Sequence, residues 1–213
     1  MAGPAAKRLG VRVIALDRPG FGRSDFQKGR GIDDWPDDVV EAADQLRIER
    51  FAVLGESGGG PYAAACARKI SHRLTKAGIV SGWGPANAPE ARSGLPWSAR
   101  LTLALWRSIP FLVYHTMWYL ALAARWFPRA VLRLSRRRLP PPDKRIVDRP
   151  EMRAMMRDAL RETFRQGGGG QAHEMLLFAR AWDFLLEDIA TEVYLWHGEA
   201  DRTVPISMGR YQA

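Results

Sequence analysis

The sequence has almost no thiol and little histidine: one cysteine, Cys66, and four histidines in 213 residues. A single cysteine cannot form a disulfide within the chain. Cys66 falls on an alanine-rich predicted helix, so we expect a small buried side chain in a reducing compartment. No Cys-X-X-Cys pair is present, and the histidines are scattered at His72, His115, His173 and His197. We therefore predict no metal site and no metal cofactor.

The sequence also lacks a leader-like segment. Residues 1–10 contain no apolar stretch of the length that a signal peptide needs, so we predict a cytoplasmic protein. An uncharged segment, 108–124, has 17 residues, which is at the short limit for a transmembrane helix. Pro110 and His115 lie inside it, and Arg107 and Arg125 lie beside it. These residues favour a lid helix over a membrane span.

Acidic residues are scarce between residues 125 and 145. The segment has the single acid Asp143 against eight basic residues: Arg125, Arg129, Arg133, Arg136, Arg137, Arg138, Lys144 and Arg145. It supplies most of the formal net charge of +9, an excess that suggests nucleic acid or an anionic membrane as a partner. No nucleic-acid-binding motif frames the cluster, and no aromatic residue alternates with the basic ones after Phe127. We therefore expect a solvated helix face and no nucleic-acid partner. Peripheral membrane contact through 125–145 is the alternative.

The most informative pattern lies between residues 51 and 69. Residues 51–54 are apolar, as in a strand buried on both faces, and residues 62–69 are alanine-rich and helical. Between them, Gly55-Glu56-Ser57-Gly58-Gly59 places a serine among small neighbours. A sharp turn from strand to helix needs such neighbours, because bulk at Gly55 or Gly59 would collide with the turn. The pattern predicts strand, sharp turn and helix.

Three interpretations of this turn compete. In the first, Ser57 is a nucleophile, and the N–H of Gly58 donates to a developing oxyanion. In the second, the glycines bind a dinucleotide, but that motif needs an acid about 20 residues further on, where the chain has Gly78, Ile79 and Val80. In the third, the segment is a tight turn without chemistry. The flanking strand and helix favour the nucleophile.

This turn resembles the nucleophile turn of the α/β-hydrolase superfamily. Three further segments resemble the family and appear in its order: 11–16 with the glycine turn 17–25, the strand 74–81, and the strand end and loop 196–205. The resemblance spans the chain except its middle. It implies a carboxylesterase-like serine hydrolase that forms an acyl-enzyme with a small-molecule ester or related carbonyl substrate, without a metal or organic cofactor.

The resemblance also implies roles for particular residues. Ser57 would be the nucleophile, the N–H of Gly58 would belong to the oxyanion hole, and Asp201 would be the acid of the catalytic triad. Asp17 and Asp25 belong to the turn after an earlier strand, so structural roles are expected for them. A serine at the turn argues against the family's epoxide hydrolases and dehalogenases, which attack with a carboxylate, and leaves acyltransferase and carbon–carbon bond hydrolase as open alternatives.

Alternation of strands and helices predicts an α/β fold, with a partial α/β-hydrolase parallel sheet flanked by helices. Strands beginning near Val11, Phe51, Leu74 and Glu192 should form one sheet, with Ser57 and Asp201 at its carboxyl edge. The core would comprise 1–82 and 189–213, and 83–188 would be a helical cap inserted between them. Residues 167–170, four glycines, should form a flexible joint, after which a helical pattern resumes over 171–186.

A triad also needs a histidine as general base. The family places it after the last strand, about 25–30 residues beyond Asp201, but no histidine follows Asp201 in this chain. His197 is the nearest, and it lies in a His-Gly pair typical of the family's strand end. We expect a hydrolase truncated at both ends, a fragment whose own activity is undetermined. The alternative is a catalytically dead pseudoenzyme or a basic membrane-associated binding module. The sequence determines neither the substrate nor the oligomeric state.

Overall fold

A computed structural model describes residues 3–137 and 139–213. Three strands run through it: β1 (Phe51–Glu56), β2 (Leu74–Val80) and β3 (Val193–Trp196). The helices outside residues 83–188 are α1 (Gly3–Arg8), α2 (Trp35–Gln45), α3 (Gly60–Lys69) and, after β3, α11 (Ile206–Gln212). Between β2 and β3 lie α4 (Pro89–Arg92), α5 (Trp97–Ser108), α6 (Pro110–Trp126), α7 (Pro128–Arg137), α8 (Pro141–Val147), α9 (Pro150–Thr163) and α10 (Gly169–Phe178). Short 3₁₀ turns occupy Ser57–Gly59, Ser71–Arg73 and Leu186–Asp188.

The three strands form one parallel sheet in the order β1-β2-β3, flanked by helices. The α/β class predicted from the sequence is therefore confirmed. The register places Glu56 opposite Val80, and Val80 opposite Trp196. The carboxyl ends of all three strands therefore meet in one row, and the residues that follow them begin at the same edge of the sheet.

The prediction of a strand over residues 11–16 is wrong. The segment has no regular secondary structure, and its apolar side chains, Val11, Val13, Ile14 and Leu16, are between 39% and 56% exposed. A strand exists only as part of a ladder, because its N–H and C=O groups need partners. Among the described residues, β2 is the only strand paired with β1, and 11–16 pairs with no strand of the sheet.

Helix α3 packs on the sheet because it presents a face of small side chains. Residues 63–67 are alanines and Cys66, all buried. On one side of α3, Cys66, Ala67 and Ile70 pack with Leu74 and Ala77 of β2. Near its amino end, Tyr62 and Ala63 join a second cluster that includes Phe178, Trp182 and Phe184. The start of α3 is therefore in contact with the segment that joins α10 to β3.

The segment 83–188 is mostly helical, as predicted, and its role as a cap stays a prediction. Helix α6 packs on α10 through Val113 and Met117, which contact Ala172 and Leu176. Helix α7 packs against α9. Within 3–137 and 139–213, no helix is both long and apolar enough to cross a membrane.

The glycines at 167–170 do not form the predicted flexible joint, because two of them are packing positions. Helix α10 already begins at Gly169, and it ends at Phe178 rather than near residue 186. A Cβ on Gly170 would lie 2.3 Å from the carbonyl oxygen of Gly20, and one on Gly168 would lie 2.5 Å from that of Met117. Because these two residues lack side chains, the backbone at 168–170 lies close to the backbone at Gly20 and at Met117.

Candidate active site

Ser57 follows β1 directly and has a left-handed backbone conformation, with φ of +52°. Such a conformation is strained for a residue with a side chain and persists only where the surroundings impose it. Two hydrogen bonds impose it here, because the carbonyl oxygen of Ser57 accepts from the N–H of Gly60 and, at 3.0 Å, from the N–H of Trp83. The Ser57 side chain is exposed at the edge of the sheet.

Crowding by neighbouring backbone requires glycine at two positions of this turn, and only one of them was expected. A Cβ on Gly55 would lie 2.3 Å from the carbonyl oxygen of Gly59 and 2.8 Å from Cβ of Ala63. Gly59, by contrast, has open space around it, so the expected collision there is wrong. The second tight position is Gly60, where a Cβ would lie 2.7 Å from Cα of Gly82. The loop after β2 therefore presses on the helix start rather than on the turn itself.

An aromatic wall covers the residue after Ser57. A Cβ on Gly58 would lie 2.9 Å from the ring of Phe178, which is buried. The ring of Phe178 stacks with that of Trp83 at a centroid distance of 6.0 Å, and the indole N–H of Trp83 donates to the carbonyl oxygen of Phe178 at 3.3 Å. The sequence places Phe178 on an apolar helix pattern but carries no signal that its ring would contact Gly58.

Asp201 lies in the loop after β3 and is half-buried. Its Oδ1 accepts from the backbone N–H of Thr203 at 2.8 Å and of Val204 at 3.0 Å, which closes a tight turn. Strand β3 lies two strand spacings from β1, about 10 Å. At that separation an acid and a serine at the sheet edge need a third group between them to act together. The roles of Ser57, Gly58 and Asp201 stay predictions.

Three of the four histidines are hydrogen-bonded elsewhere. His197 follows β3, two strands away from Ser57, and its Nε2 donates to the carbonyl oxygen of Val204 at 2.8 Å. It therefore braces the loop that carries Asp201. His173 Nε2 lies 2.9 Å from the carbonyl oxygen of Arg30, and His115 Nδ1 lies 2.9 Å from that of Phe111. Within the described part of the chain, no hydrogen bond joins a histidine to Ser57.

A buried ionic cluster that sequence reasoning missed lies between α3 and α10. Glu174 is 1% exposed, and its Oε2 accepts from the guanidinium of Arg30 and from the hydroxyl of Tyr62, each at 2.8 Å. Arg18 adds an ion pair, with its Nε 3.0 Å from Oε1 of Glu174. No spacing in the sequence links residues 18, 30, 62 and 174, so nothing local could have identified the cluster.

The electrostatics of this cluster favour an ionised pair. Burial raises the pKa of Tyr62, and the nearby Glu174 carboxylate raises it further, so the phenol stays protonated and donates to that carboxylate. Burial opposes the charge on Arg30, but contact with Tyr62 and Glu174 outweighs that effect and raises the pKa of its guanidinium. Arg30 therefore stays cationic beside Glu174, and Tyr62 stays a neutral hydrogen-bond donor to it.

Asp17, one of the two acids of the early turn, has structural contacts. Asp17 accepts from the N–H of Arg23 at 3.4 Å, and the hydroxyl of Ser24 donates to the carbonyl oxygen of Asp17 at 2.7 Å. These bonds close the turn that begins at Asp17. Across residues 3–137 and 139–213, no group of three His, Cys, Asp or Glu side chains has the geometry of a metal site.

Comparison with known proteins agrees with the fold. Residues 5–211 match the family described as serine aminopeptidase, S33. A protein of Rhizobium rhizogenes named as a carbamate hydrolase, RutD, is 27% identical over 116 residues, which are 50% of this chain and 43% of that protein. A non-heme chloroperoxidase of Streptomyces lividans is 40% identical over 78 residues, which are 36% of this chain and 28% of that protein. The match thus spans less than half the length of each of these relatives.

Solved structures show the same architecture. A hydrolase from Pseudomonas aeruginosa PA01 superposes with a TM-score of 0.66 at 19% identity, covering 100% of this chain and 71% of that one. A bromoperoxidase from Bacillus anthracis superposes with a TM-score of 0.66 at 21% identity, covering 99% and 72% of the two chains. At these identities the superpositions establish the fold alone.

Proposed function

The chain belongs to the serine aminopeptidase S33 family of α/β-hydrolases, and from this premise we propose that it is a serine hydrolase with Ser57 as its nucleophile. The proposed substrate is a small-molecule ester or related carbonyl compound, and the proposed reaction passes through an acyl-enzyme. The N–H of Gly58 is the proposed oxyanion donor, and Asp201 is the proposed orienting acid.

The backbone of Ser57 is the observation that carries this proposal. A serine with φ of +52° is exposed after a parallel strand and directly before a helix, and its carbonyl oxygen is held by two N–H groups. A turn without chemistry would not need a side chain at this position, because glycine adopts the conformation without strain. The strain therefore supports a requirement for the hydroxyl itself.

The chemistry assigns one task to each group. The Ser57 oxygen attacks the carbonyl carbon while a base removes its proton, and charge builds up on the carbonyl oxygen. The N–H of Gly58 would stabilise that charge, and the Phe178 ring would cover the acyl portion beside it. The leaving group takes up the proton, and water then releases the acid by the same route. The base is a group that must be brought between Ser57 and Asp201.

We further propose that this chain is one part of a longer hydrolase. Its match spans 43% and 28% of two relatives and 71% of one solved structure. The edge of β1 that faces away from β2 is unpaired among the described residues, and Leu54 on that strand is 70% exposed. An additional strand paired with β1 would satisfy its backbone groups and bury that side chain.

Labelling with a fluorophosphonate, which reacts with activated serines, tests the nucleophile. We expect Ser57→Ala to abolish labelling in the full gene product that contains this chain. The matched control is Ser81→Ala, because Ser81 also follows a strand and has a left-handed backbone, with φ of +45°. The Ser81→Ala variant should still be labelled. Ester hydrolysis should likewise be lost in Ser57→Ala and kept in Ser81→Ala. Labelling that survives Ser57→Ala would exclude Ser57 as the nucleophile.

A second candidate function is a basic membrane-associated binding module that does not catalyse a reaction. The observation that favours it is the outer face of α6, where Phe111, Trp118, Tyr119 and Trp126 are all more than half exposed, followed by the arginines of 125–145. Exposed aromatics beside arginines are typical of peripheral membrane contact. Such a module would bind anionic vesicles in the absence of any Ser57-dependent labelling.

A further inference from the structure

Arginines from two helices converge on one cavity. Helices α7 and α9 pack against each other, and between them lies a cavity of about 700 Å³. Five arginines line it: Arg129, Arg133, Arg136, Arg153 and Arg157. Arg129 and Arg133 of α7 are exposed, as expected for a solvated face, and they also line this cavity together with arginines of a helix about 20 residues further along the chain.

The charges in this cavity are not balanced. Asp148 is the one acid among its lining residues, and it is already shared, because its Oδ1 accepts from Arg136 at 2.7 Å and from Arg153 at 3.0 Å. These two guanidinium groups hold the pKa of Asp148 down to about 2, so it stays ionised. Among the described residues, Arg129 and Arg133 have no carboxylate within ion-pair distance.

Arg157 adds an unused donor. Its Nε is buried and has no hydrogen-bond acceptor among the described residues, since the nearest carboxylate oxygen, on Asp158, is 3.8 Å away. Arg129 with Arg133, and Arg153 with Arg157, are also like charges four residues apart on a helix, a spacing that is destabilising unless a counter-charge is present. The cavity therefore has more donors and more positive charge than its own residues satisfy.

The guanidinium groups of the cavity indicate which class of anion it would bind. Every cationic residue lining the cavity is arginine, and the planar guanidinium fork fits the oxygens of a phosphoryl group in pairs. Apart from Asp148, the rest of the wall is apolar and includes Leu132, Val147 and Met156. An adjoining cavity of about 430 Å³ is lined by Arg129, Arg133, Arg157 and Arg161 beside Trp126 and Phe127.

We propose that the cavity between α7 and α9 binds the phosphoryl group of a phosphate ester, with the apolar part of the ligand against Leu132, Val147 and Met156. Arg129, Arg133 and Arg157 supply the donors, and Asp148 holds Arg136 and Arg153 in place. The ester has two possible sources, a soluble metabolite-sized compound or the headgroup of an anionic phospholipid. The site is independent of Ser57, so it stands or falls separately from the proposed hydrolase activity.

Binding to two probes tests the site. The first is phenyl phosphate, measured by titration calorimetry at about 0.15 M salt, and the second is vesicles of phosphatidylglycerol and phosphatidylcholine, measured by co-sedimentation. The cavity variant is Arg133→Gln with Arg157→Gln. The matched control is Arg107→Gln with Arg180→Gln, which removes the same charge from exposed positions outside the cavity. Ser57→Ala should bind both probes as the unaltered chain does.

We expect the cavity variant to bind its probe about tenfold more weakly or worse, while the control changes less than about twofold. Selective loss of phenyl phosphate binding with unchanged vesicle binding identifies a soluble ester. Loss of binding to both probes in the cavity variant alone, with phenyl phosphate displacing the unaltered chain from vesicles, identifies a lipid headgroup. Equal losses in both variants, or no binding of either probe, overturn the proposal. If the double variant fails to fold, Arg129→Gln alone replaces it, with Arg107→Gln as its control.

Discussion

At the scale of single residues, backbone strain is concentrated at the edge of the sheet. Three described residues other than glycine have positive φ, namely Arg47, Ser57 and Ser81, and the two serines directly follow neighbouring strands. Each such conformation costs about 1–3 kcal/mol. The N–H of Ser81 donates to the carbonyl oxygen of Trp196 at 2.8 Å, so this strained residue also ties β2 to β3. Backbone hydrogen bonds therefore hold both strained serines at this edge of the sheet.

Cys66 is predicted to make stability depend on alkaline pH. Burial, followed by the nearby Asp33 carboxylate, raises the pKa of its thiol to about 12 in the folded chain, against about 8.5 when unfolded. Because the folded pKa is the higher one, this contribution is fully present below about pH 8.5 and is lost as pH rises toward 12. Between about pH 7.5 and 9.5, the free energy of unfolding should fall by about 1.4 kcal/mol more than in Cys66→Ala.

Urea denaturation of both proteins at the two pH values measures this difference. Cys66→Ala is the internal control, because every other titrating group is shared. Equal losses in the two proteins would contradict the effect of Cys66 burial.

At the scale of elements, α10 is placed by its glycines. Gly170 lets the start of the helix approach the backbone at Gly20, and Gly168 lets it approach α6 at Met117. From there α10 brings both Glu174 and Phe178 against the start of α3. The position of α10 therefore determines both where Glu174 lies in the buried ionic cluster and where the Phe178 ring contacts Gly58.

Gly170→Ala should lower stability, because its Cβ would lie 2.3 Å from a backbone oxygen that cannot move aside as a side chain would. We expect a loss of about 1–3 kcal/mol. The control is Gly169→Ala, one residue earlier in the same helix, where a Cβ meets nothing within 4 Å. It should be neutral or stabilising by up to about 1 kcal/mol, because alanine restricts the unfolded chain. Urea denaturation separates the two, and equal effects would contradict the close approach.

At the scale of the whole molecule, the Glu174 cluster joins the sheet and the helical segment. Arg18 and Arg30 come from the loops before α2, Tyr62 from α3 and Glu174 from α10. A buried carboxylate is stable here because Arg30 and Tyr62 donate hydrogen bonds to it and both arginines carry opposite charge. We infer that the sheet and the helices between β2 and β3 unfold together.

Glu174→Gln tests this link. It leaves Arg30, whose side chain is 2% exposed, without a charge partner, and we expect a loss of about 3–5 kcal/mol in the free energy of unfolding. The control is Glu162→Gln, which removes an exposed pair with Arg165 and should cost less than about 1 kcal/mol. Urea denaturation followed by tryptophan fluorescence and by far-ultraviolet circular dichroism measures both. Equal losses of unfolding free energy in Glu174→Gln and Glu162→Gln would show that the pair of Glu174 and Arg30 does not join the sheet to the helices between β2 and β3.

Local pattern was enough to predict the central unit of the fold. The apolar run at 51–54, the glycines around Ser57, the alanine-rich helix and the strand 74–80 were all predicted within a few residues. Each depends on interactions between residues close in the chain, such as the 2.3 Å approach of a Cβ at Gly55 to the oxygen of Gly59. The candidate serine could therefore be found from sequence, while Phe178, which contacts the turn from 120 residues away, could not.

The sequence by itself determined the parallel α/β unit from β1 to β2, the sharp turn at Ser57 and the density of arginine after residue 125. The tertiary structure alone decided that 11–16 is not a strand, that Gly168 and Gly170 are packing positions, and that Arg30, Tyr62 and Glu174 share a buried site. The reason is that propensity and periodicity act over a few residues. A ladder partner, a backbone contact or a counter-charge is set by chain segments that meet only after folding, as Arg30 and Glu174 do across 144 positions.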